Sequence, residues 1–229
     1  VIRAIIFDLD GTLVQTEALK AISYARAAKQ LKPELKEDDV IQRYDDMIGR
    51  SREEVAEALV KRFGLNVTWE QLVDARMKVY DAMLEDPRTV KQQEYPYATA
   101  LLRKVKGMGY PTALCTMSHA PETAVVLKTL DIGQCLDVVV TRDMVSKPKP
   151  DPEIYRLAMS KLNVQPGECL VIEDSEPGVA AAVDAGTQVV VVPSDLTRAR
   201  VVAHAPFKGE IIVDNPADLD KTVMQLLGR

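Results

Sequence analysis

Short apolar runs recur along the chain at residues 5–7, 112–115, 138–140, 170–172, 189–192 and 211–213, each giving way to polar residues. Runs this continuous and this rich in Val and Ile predict strands buried on both faces of a parallel sheet. Helical periodicity fills most of the gaps. Leu101, Leu102 and Val105 share a face before Gly107, and Val126, Leu127 and Leu130 do so after Pro121. Asp151-Pro152-Glu153 predicts an N-cap with Pro at the first helical position, and 177 to 183 predicts a helix closed by Gly186. Alternating strand and helix predicts an α/β, Rossmann-like core.

The stretch from 16 to 91 breaks this alternation. It has helical stripes (Val55, Leu59, Phe63; Leu72, Val79, Tyr80, Met83) and no convincing strand. Ser51-Arg52-Glu53-Glu54 and Thr68-Trp69-Glu70-Gln71 both fit the capping box, in which hydroxyl and third-position side chain satisfy each other's orphan donors. A unit of four or five helices inserted after the first strand follows. The predicted organisation is a discontinuous core, 1–14 and 93–229, around a helical domain at 15–92.

Composition narrows the function. A formal charge of −5, spread along the chain, argues against nucleic acid or an anionic membrane as partner, since both need clustered Lys and Arg. Cys115, Cys135 and Cys169 form no CxxC pair, which leaves a disulfide framework or zinc site without support. No secretory segment and no apolar run near about 20 residues is found, so the cytoplasm is the expected location.

The candidate chemistry sits at strand ends. The first strand runs into Asp8-Leu9-Asp10-Gly11-Thr12, at the edge where α/β proteins place ligands. In extended backbone i and i+2 point the same way, so Asp8 and Asp10 can share a face. Two such carboxylates repel unless a cation or proton separates them, and Mg2+ suits hard oxygen donors shared with phosphate. Glu173-Asp174 ends another strand, Thr116 follows a third, and Lys147 stands in Ser146-Lys147-Pro148-Lys149-Pro150. A hydroxyl, an ammonium and two acidic groups could meet around one phosphoryl group.

This set resembles the haloacid dehalogenase superfamily over nearly the whole chain. Its first motif is matched by Phe7-Asp8-Leu9-Asp10-Gly11-Thr12-Leu13, its second by Thr116 and its third by Lys147. Its fourth is matched by Ile172-Glu173-Asp174-Ser175, continuing through 178–182. The helical insertion resembles the family's C1 cap, as in β-phosphoglucomutase and small sugar-phosphate phosphatases. The resemblance implies that Asp8 is a nucleophile forming an aspartyl-phosphate and that Asp10 is the general acid and base. It further implies Mg2+ held by Asp8, Asp10 and Asp174, with Glu173 a ligand or a partner of the ligands. Thr116 and Lys147 would hold phosphoryl oxygens, with Met117 beside them at the substrate site.

Ile48-Gly49-Arg50-Ser51-Arg52 resembles the cap loop that reaches the substrate, which nominates Arg52, or else Arg50, for its distal part. Some positions depart from the family. Gln15-Thr16-Glu17 replaces a common Asp-containing run, Lys20 stands where mutase-like members carry His, and Met117 precedes Ser118 where phosphatases often carry Asn. The implied function is a Mg2+-dependent phosphatase acting on a small phosphorylated metabolite, of sugar phosphate or phosphoglycolate type, as a monomer or small homo-oligomer. A β-phosphoglucomutase-like mutase is the alternative, and a non-catalytic phosphate-binding module is the alternative of another class.

Overall fold

The structure is a computed structural model of the 229-residue chain. It describes residues 1–47, 51–204 and 210–229, without the side chains of Asp45 and His204. The described residues divide into two compact units, Val1–Gln15 with Val90–Arg229, and Thr16–Thr89.

Among the described residues the first unit is built on six strands, β1 (Ala4–Phe7), β2 (Thr112–Cys115), β3 (Val138–Val140), β4 (Cys169–Glu173), β5 (Gln188–Val191) and β6 (Glu210–Ile212). They form one all-parallel sheet in the order β3-β2-β1-β4-β5-β6. Ile6 pairs with Ala113 on one side and Val171 on the other. The sheet alternates, as a pleated backbone must. Ala4, Ile6, Ala113, Cys115, Cys169, Val171, Val189 and Val191 share one buried cluster with Ile154, Tyr155, Ala158, Val179 and Ala182 from helices. Ile5, Phe7, Leu114, Leu170, Ile172 and Val190, the intervening residues, are equally buried. Both faces are therefore covered, which is why the runs read as unbroken apolar stretches.

The second unit holds α1 (Glu17–Leu31), α2 (Glu37–Asp45), α3 (Arg52–Phe63) and α4 (Trp69–Leu84), and α5 (Pro87–Lys91) crosses the boundary between the units. Both expected capping boxes are present, Ser51 with Glu54 at the start of α3 and Thr68 with Gln71 at the start of α4. Gly64 closes α3 at φ +57, a left-handed position where a Cβ would be strained. Ala21, Tyr24, Ala28, Val40, Val55, Leu59 and Leu72 form this unit's own core.

Back in the first unit run α6 (Pro96–Gly107), α7 (Ala120–Thr129), α8 (Glu153–Leu162), α9 (Glu176–Asp184), α10 (Arg198–His204) and α11 (Leu219–Leu226). The start of α8 lies one residue later than Asp151-Pro152-Glu153 predicts, with Pro152 in the capping position. Asp151 still accepts the Glu153 N–H at 3.0 Å, so the carboxylate does the capping from one step back. No described helix is long and apolar enough to cross a membrane.

Leu59 is fully buried and Glu57, two residues before it, is exposed. Leu59→Ala should lower the stability of the helical unit by about 3 kcal/mol through lost burial and a residual cavity. Glu57→Ala should stay within about 0.5 kcal/mol. Urea unfolding followed by amide exchange in α1, α3 and α4 reads both.

Candidate active site

The strand order places the site. The chain moves outward from β1 to β2 and β3, then returns to lay β4 on the other side of β1. Adjacent β1 and β4 therefore leave in opposite directions at their C-terminal ends, the crevice where open α/β sheets bind ligands. Asp8 follows β1, and its N–H bonds the Ile172 carbonyl at 3.0 Å. Glu173 closes β4 and Asp174 follows it. Thr116 follows β2, its N–H bonding the Val140 carbonyl at 3.0 Å.

Asp8, Glu173 and Asp174 are all buried, and one oxygen from each falls within 4.8 Å of the others. Between Asp8 and Glu173 lies the ammonium of Lys149, 2.7 Å from Asp8 Oδ1, 2.7 Å from Glu173 Oε1 and 3.2 Å from the Cys115 carbonyl. Its side chain is 5% exposed, and Nζ stands 5.0 Å from the centre of the Tyr155 ring.

Lys147, the expected phosphate-binding lysine, is not part of this cluster. Its side chain is 70% exposed, with Nζ 3.5 Å from Asp151. The reason is local. Glu153 accepts the N–H groups of Ser146 and Lys147 and the Ser146 hydroxyl, which ties this end of the loop outward at the start of α8. The chain reaches the carboxylates only two residues later, at Lys149. The repeated Lys-Pro leaves the sequence without a local feature to separate the two.

Glu173 is the most heavily bonded of the acids. Oε1 accepts from Lys149 and from the Tyr155 hydroxyl at 2.9 Å. Oε2 accepts the Asp174 N–H at 2.8 Å and the Ser175 N–H and hydroxyl at 3.0 Å. Both oxygens are thus engaged by protein donors, which fits Glu173 as a brace for Lys149. Asp174 differs: Oδ2 accepts from Thr197 Oγ1 at 3.0 Å, whereas Oδ1 is buried with no hydrogen-bond partner. A buried carboxylate oxygen without a donor is costly unless a cation meets it. Hard oxygen donors of this kind suit Mg2+ or a similar divalent ion.

Two glycines make room for these acids. A Cβ on Gly11 (φ +92) would lie 2.1 Å from Asp174 Oδ2, and one on Gly178 would lie 1.7 Å from Glu173 Oε1. Neither position tolerates a side chain without moving a carboxylate.

Asp10 is half-buried, and its Oδ2 accepts from Thr116 Oγ1 at 3.1 Å and Ser118 Oγ at 2.7 Å. The Ser118 N–H in turn bonds Thr116 Oγ1 at 2.9 Å. Ser118 is a site residue absent from the expected set: the chain bends just past β2, and the Ser118 N–H closing on the Thr116 hydroxyl brings its own hydroxyl to Asp10. Met117, expected at the substrate site, packs its side chain against the sheet core. The backbone bends at Met117 and Ser118, which leaves Met117 against the sheet while the Thr116 and Ser118 hydroxyls meet at Asp10.

Arg52 opens α3 in the helical unit, where its carbonyl accepts from the Tyr24 hydroxyl at 3.3 Å; Arg50 lies outside the described residues. Lys20 pairs with Glu17 at 2.6 Å, and Tyr44 donates to the same carboxylate at 2.7 Å. His119 Nδ1 is 2.5 Å from Asp143 Oδ1.

The electrostatics follow from three buried acids facing one ammonium. Burial pushes the Asp8 carboxyl up to about 8, against the pull of Lys149 and helped by Glu173 and Asp10. Burial, then Glu173 and Asp8, hold Asp174 well above the usual carboxylate range. Burial acts the same way on Glu173, but Lys149 and the hydrogen bonds of Ser175 and Tyr155 outweigh it and leave its pKa lowered. For Lys149 burial favours the neutral amine, yet Asp8 and Glu173 prevail and keep it protonated well past its usual range.

This site belongs to the α/β enzymes that gather carboxylates and a lysine at the C-terminal edge of a parallel sheet. More narrowly, the chain belongs to the haloacid dehalogenase-like hydrolase family, whose model matches residues 2–186. It is 30% identical over 219 residues to the pyrophosphatase PpaX of Bacillus velezensis, covering 95% of this chain and 94% of the relative. It is 33% identical over 190 residues to the phosphorylated carbohydrates phosphatase of Thermotoga maritima, covering 81% and 82%. CbbY from Rhodobacter sphaeroides, crystallised in complex with phosphate, superposes with a TM-score of 0.77 at 25% identity over 96% of each chain.

The pKa directions carry a sign that can be checked. Without metal, folded Asp8 holds its proton up to about 8, against 3.8 ordinarily, and Asp174 is shifted the same way. Their contribution to stability is full below about pH 4 and lost as pH rises through the folded values. In EDTA the melting temperature should therefore drop between pH 5 and pH 8, and drop less in Asp8→Asn. An equal pH dependence in the two proteins would contradict the assignment.

Proposed function

We propose that this chain is a Mg2+-dependent phosphatase that hydrolyses small organic phosphate monoesters, of sugar phosphate or phosphoglycolate type, through an aspartyl-phosphate on Asp8. The observation that carries the reading is the Asp8 carboxylate, held by a buried lysine beside the unpartnered oxygen of Asp174. The family membership and the names of the phosphatase relatives support it.

Asp8 attacks phosphorus, and the bond from phosphorus to the ester oxygen breaks. Asp10 gives its proton to that leaving oxygen, then takes one from the water whose oxygen displaces Asp8 and releases phosphate. Before reaction Thr116 and Ser118 hold the protonated Asp10 carboxyl group at its Oδ2. Lys149, rather than Lys147, offsets charge on Asp8 and on the phosphoryl oxygens, toward which the Thr116 hydroxyl would turn from Asp10 when substrate binds. Glu173 keeps the ammonium in position from the opposite side. Asp8 and Asp174, with the Asp10 backbone carbonyl, would hold Mg2+. The ion's chemistry there is to neutralise the phosphoryl group and orient it toward Asp8. The helical unit is proposed as the family's C1-type cap, with Arg52 reading the part of the substrate remote from phosphorus.

Phosphate release from a panel of sugar phosphates, phosphoglycolate and pyrophosphate, with and without Mg2+, tests this directly. Metal-dependent release with kcat/KM above about 10⁴ M⁻¹s⁻¹ on one monoester is the expected result. Isomerisation of β-glucose 1-phosphate without release would replace hydrolysis by a mutase reaction. A preference for pyrophosphate would overturn the monoester class.

The two lysines separate under mutation. Lys149→Met should lower kcat/KM by about 10²-fold or more, through loss of the charge beside Asp8. Lys147→Met should leave it within about twofold, as expected of an exposed side chain away from the acids. Steady-state kinetics on the best substrate reads both, and a reversed order would restore Lys147 to the site.

A further inference from the structure

We propose that Thr197, held by Ser194, is a positioning residue that fixes the Asp174 carboxylate and so sets the affinity of the site for its divalent cation; the inference rests on the metal-dependent reading above. Backbone pairing brings the loop there. Val192 N–H bonds the Glu173 carbonyl at 2.7 Å, continuing the ladder between β4 and β5, so the chain turns off at Pro193 alongside Asp174. Ser194 is buried, and its N–H donates to Thr197 Oγ1 at 3.0 Å, with the two hydroxyl oxygens 2.9 Å apart.

A backbone N–H can only donate, so it occupies a lone pair of the Thr197 hydroxyl and leaves the hydroxyl proton for another acceptor. That acceptor is Asp174 Oδ2, 3.0 Å away. The Ser194 side chain also bonds the Asp174 carboxyl, so Thr197 and Ser194 together hold its orientation, and Oδ1 is the oxygen left buried without a donor. The Gly11 backbone closes against the same carboxylate, so it has little room to settle in another orientation. Partners that orient a ligand in this way typically account for 10–100-fold in metal affinity.

Thr197→Val keeps the shape and removes the hydroxyl, and Thr197→Ser restores it. Titration of the metal-free protein with Mg2+ by calorimetry should give a Kd about 10-fold or more weaker in Thr197→Val, and within about threefold of wild type in Thr197→Ser. At saturating Mg2+ kcat should return to near the wild-type value, a split that general damage to the fold would not produce. Thr197→Ala, smaller than the native side chain, repeats the measurement free of any misfit and should behave as the valine variant does. Wild-type affinity in both Thr197→Val and Thr197→Ala, or a loss of kcat that Mg2+ does not recover, would overturn the inference while leaving the phosphatase reading intact. A wild-type protein that takes up no Mg2+ would overturn both.

Discussion

A single buried ammonium among three buried carboxylates is the constraint around which this molecule is organised. Lys149 lies between Asp8 and Glu173, with Asp174 beside them, so that with every group ionised the site is short of positive charge by two units. Such an imbalance inside a protein is resolved by protons or by a cation. The raised pKa values of Asp8 and Asp174 are the proton solution, and the buried Asp174 oxygen without a donor is where a cation would supply the other. A divalent ion would cancel the two excess negative charges and give an anionic phosphate a counter-ion beside Lys149, and that is the property proposed for catalysis.

Much of the surrounding fold exists to hold that arrangement. The sheet order makes β1 and β4 neighbours, so two acidic strand ends meet without a long loop on either side. Gly11 and Gly178 remove the two Cβ atoms that would otherwise occupy the carboxylate positions. Tyr155, buried on α8, presents its ring to the ammonium and its hydroxyl to Glu173. Anchoring the acids at the ends of paired strands, with Lys149 in the turn that leads into α8, limits the motion that would blur their geometry.

The fold was largely legible in the chain because its strands are buried on both faces: the six apolar runs are the six described strands, shifted by at most one residue at their ends. The acids were legible too, since a carboxylate at the end of an apolar run has few structural reasons to be there. The lysine was not. Lys147 and Lys149 are both followed by proline, and only the outward tether from Glu153 decides which one turns inward. Ser118 is reached through the bend after Thr116 and Thr197 lies in a loop with no periodicity, its relation to Asp174 depending on pairing between strands distant in sequence. Residues selected by tertiary contact alone leave little trace in local pattern.

The central claim is that the Asp8 carboxylate itself accepts the phosphoryl group. Quenching the enzyme during turnover with sodium borohydride reduces an acyl phosphate to an alcohol, and peptide mass spectrometry locates the reduced residue. The account predicts homoserine at position 8, dependent on substrate and Mg2+ and absent from Asp8→Asn. Sustained turnover with no reduced residue at position 8, or reduction at another carboxylate, would contradict it.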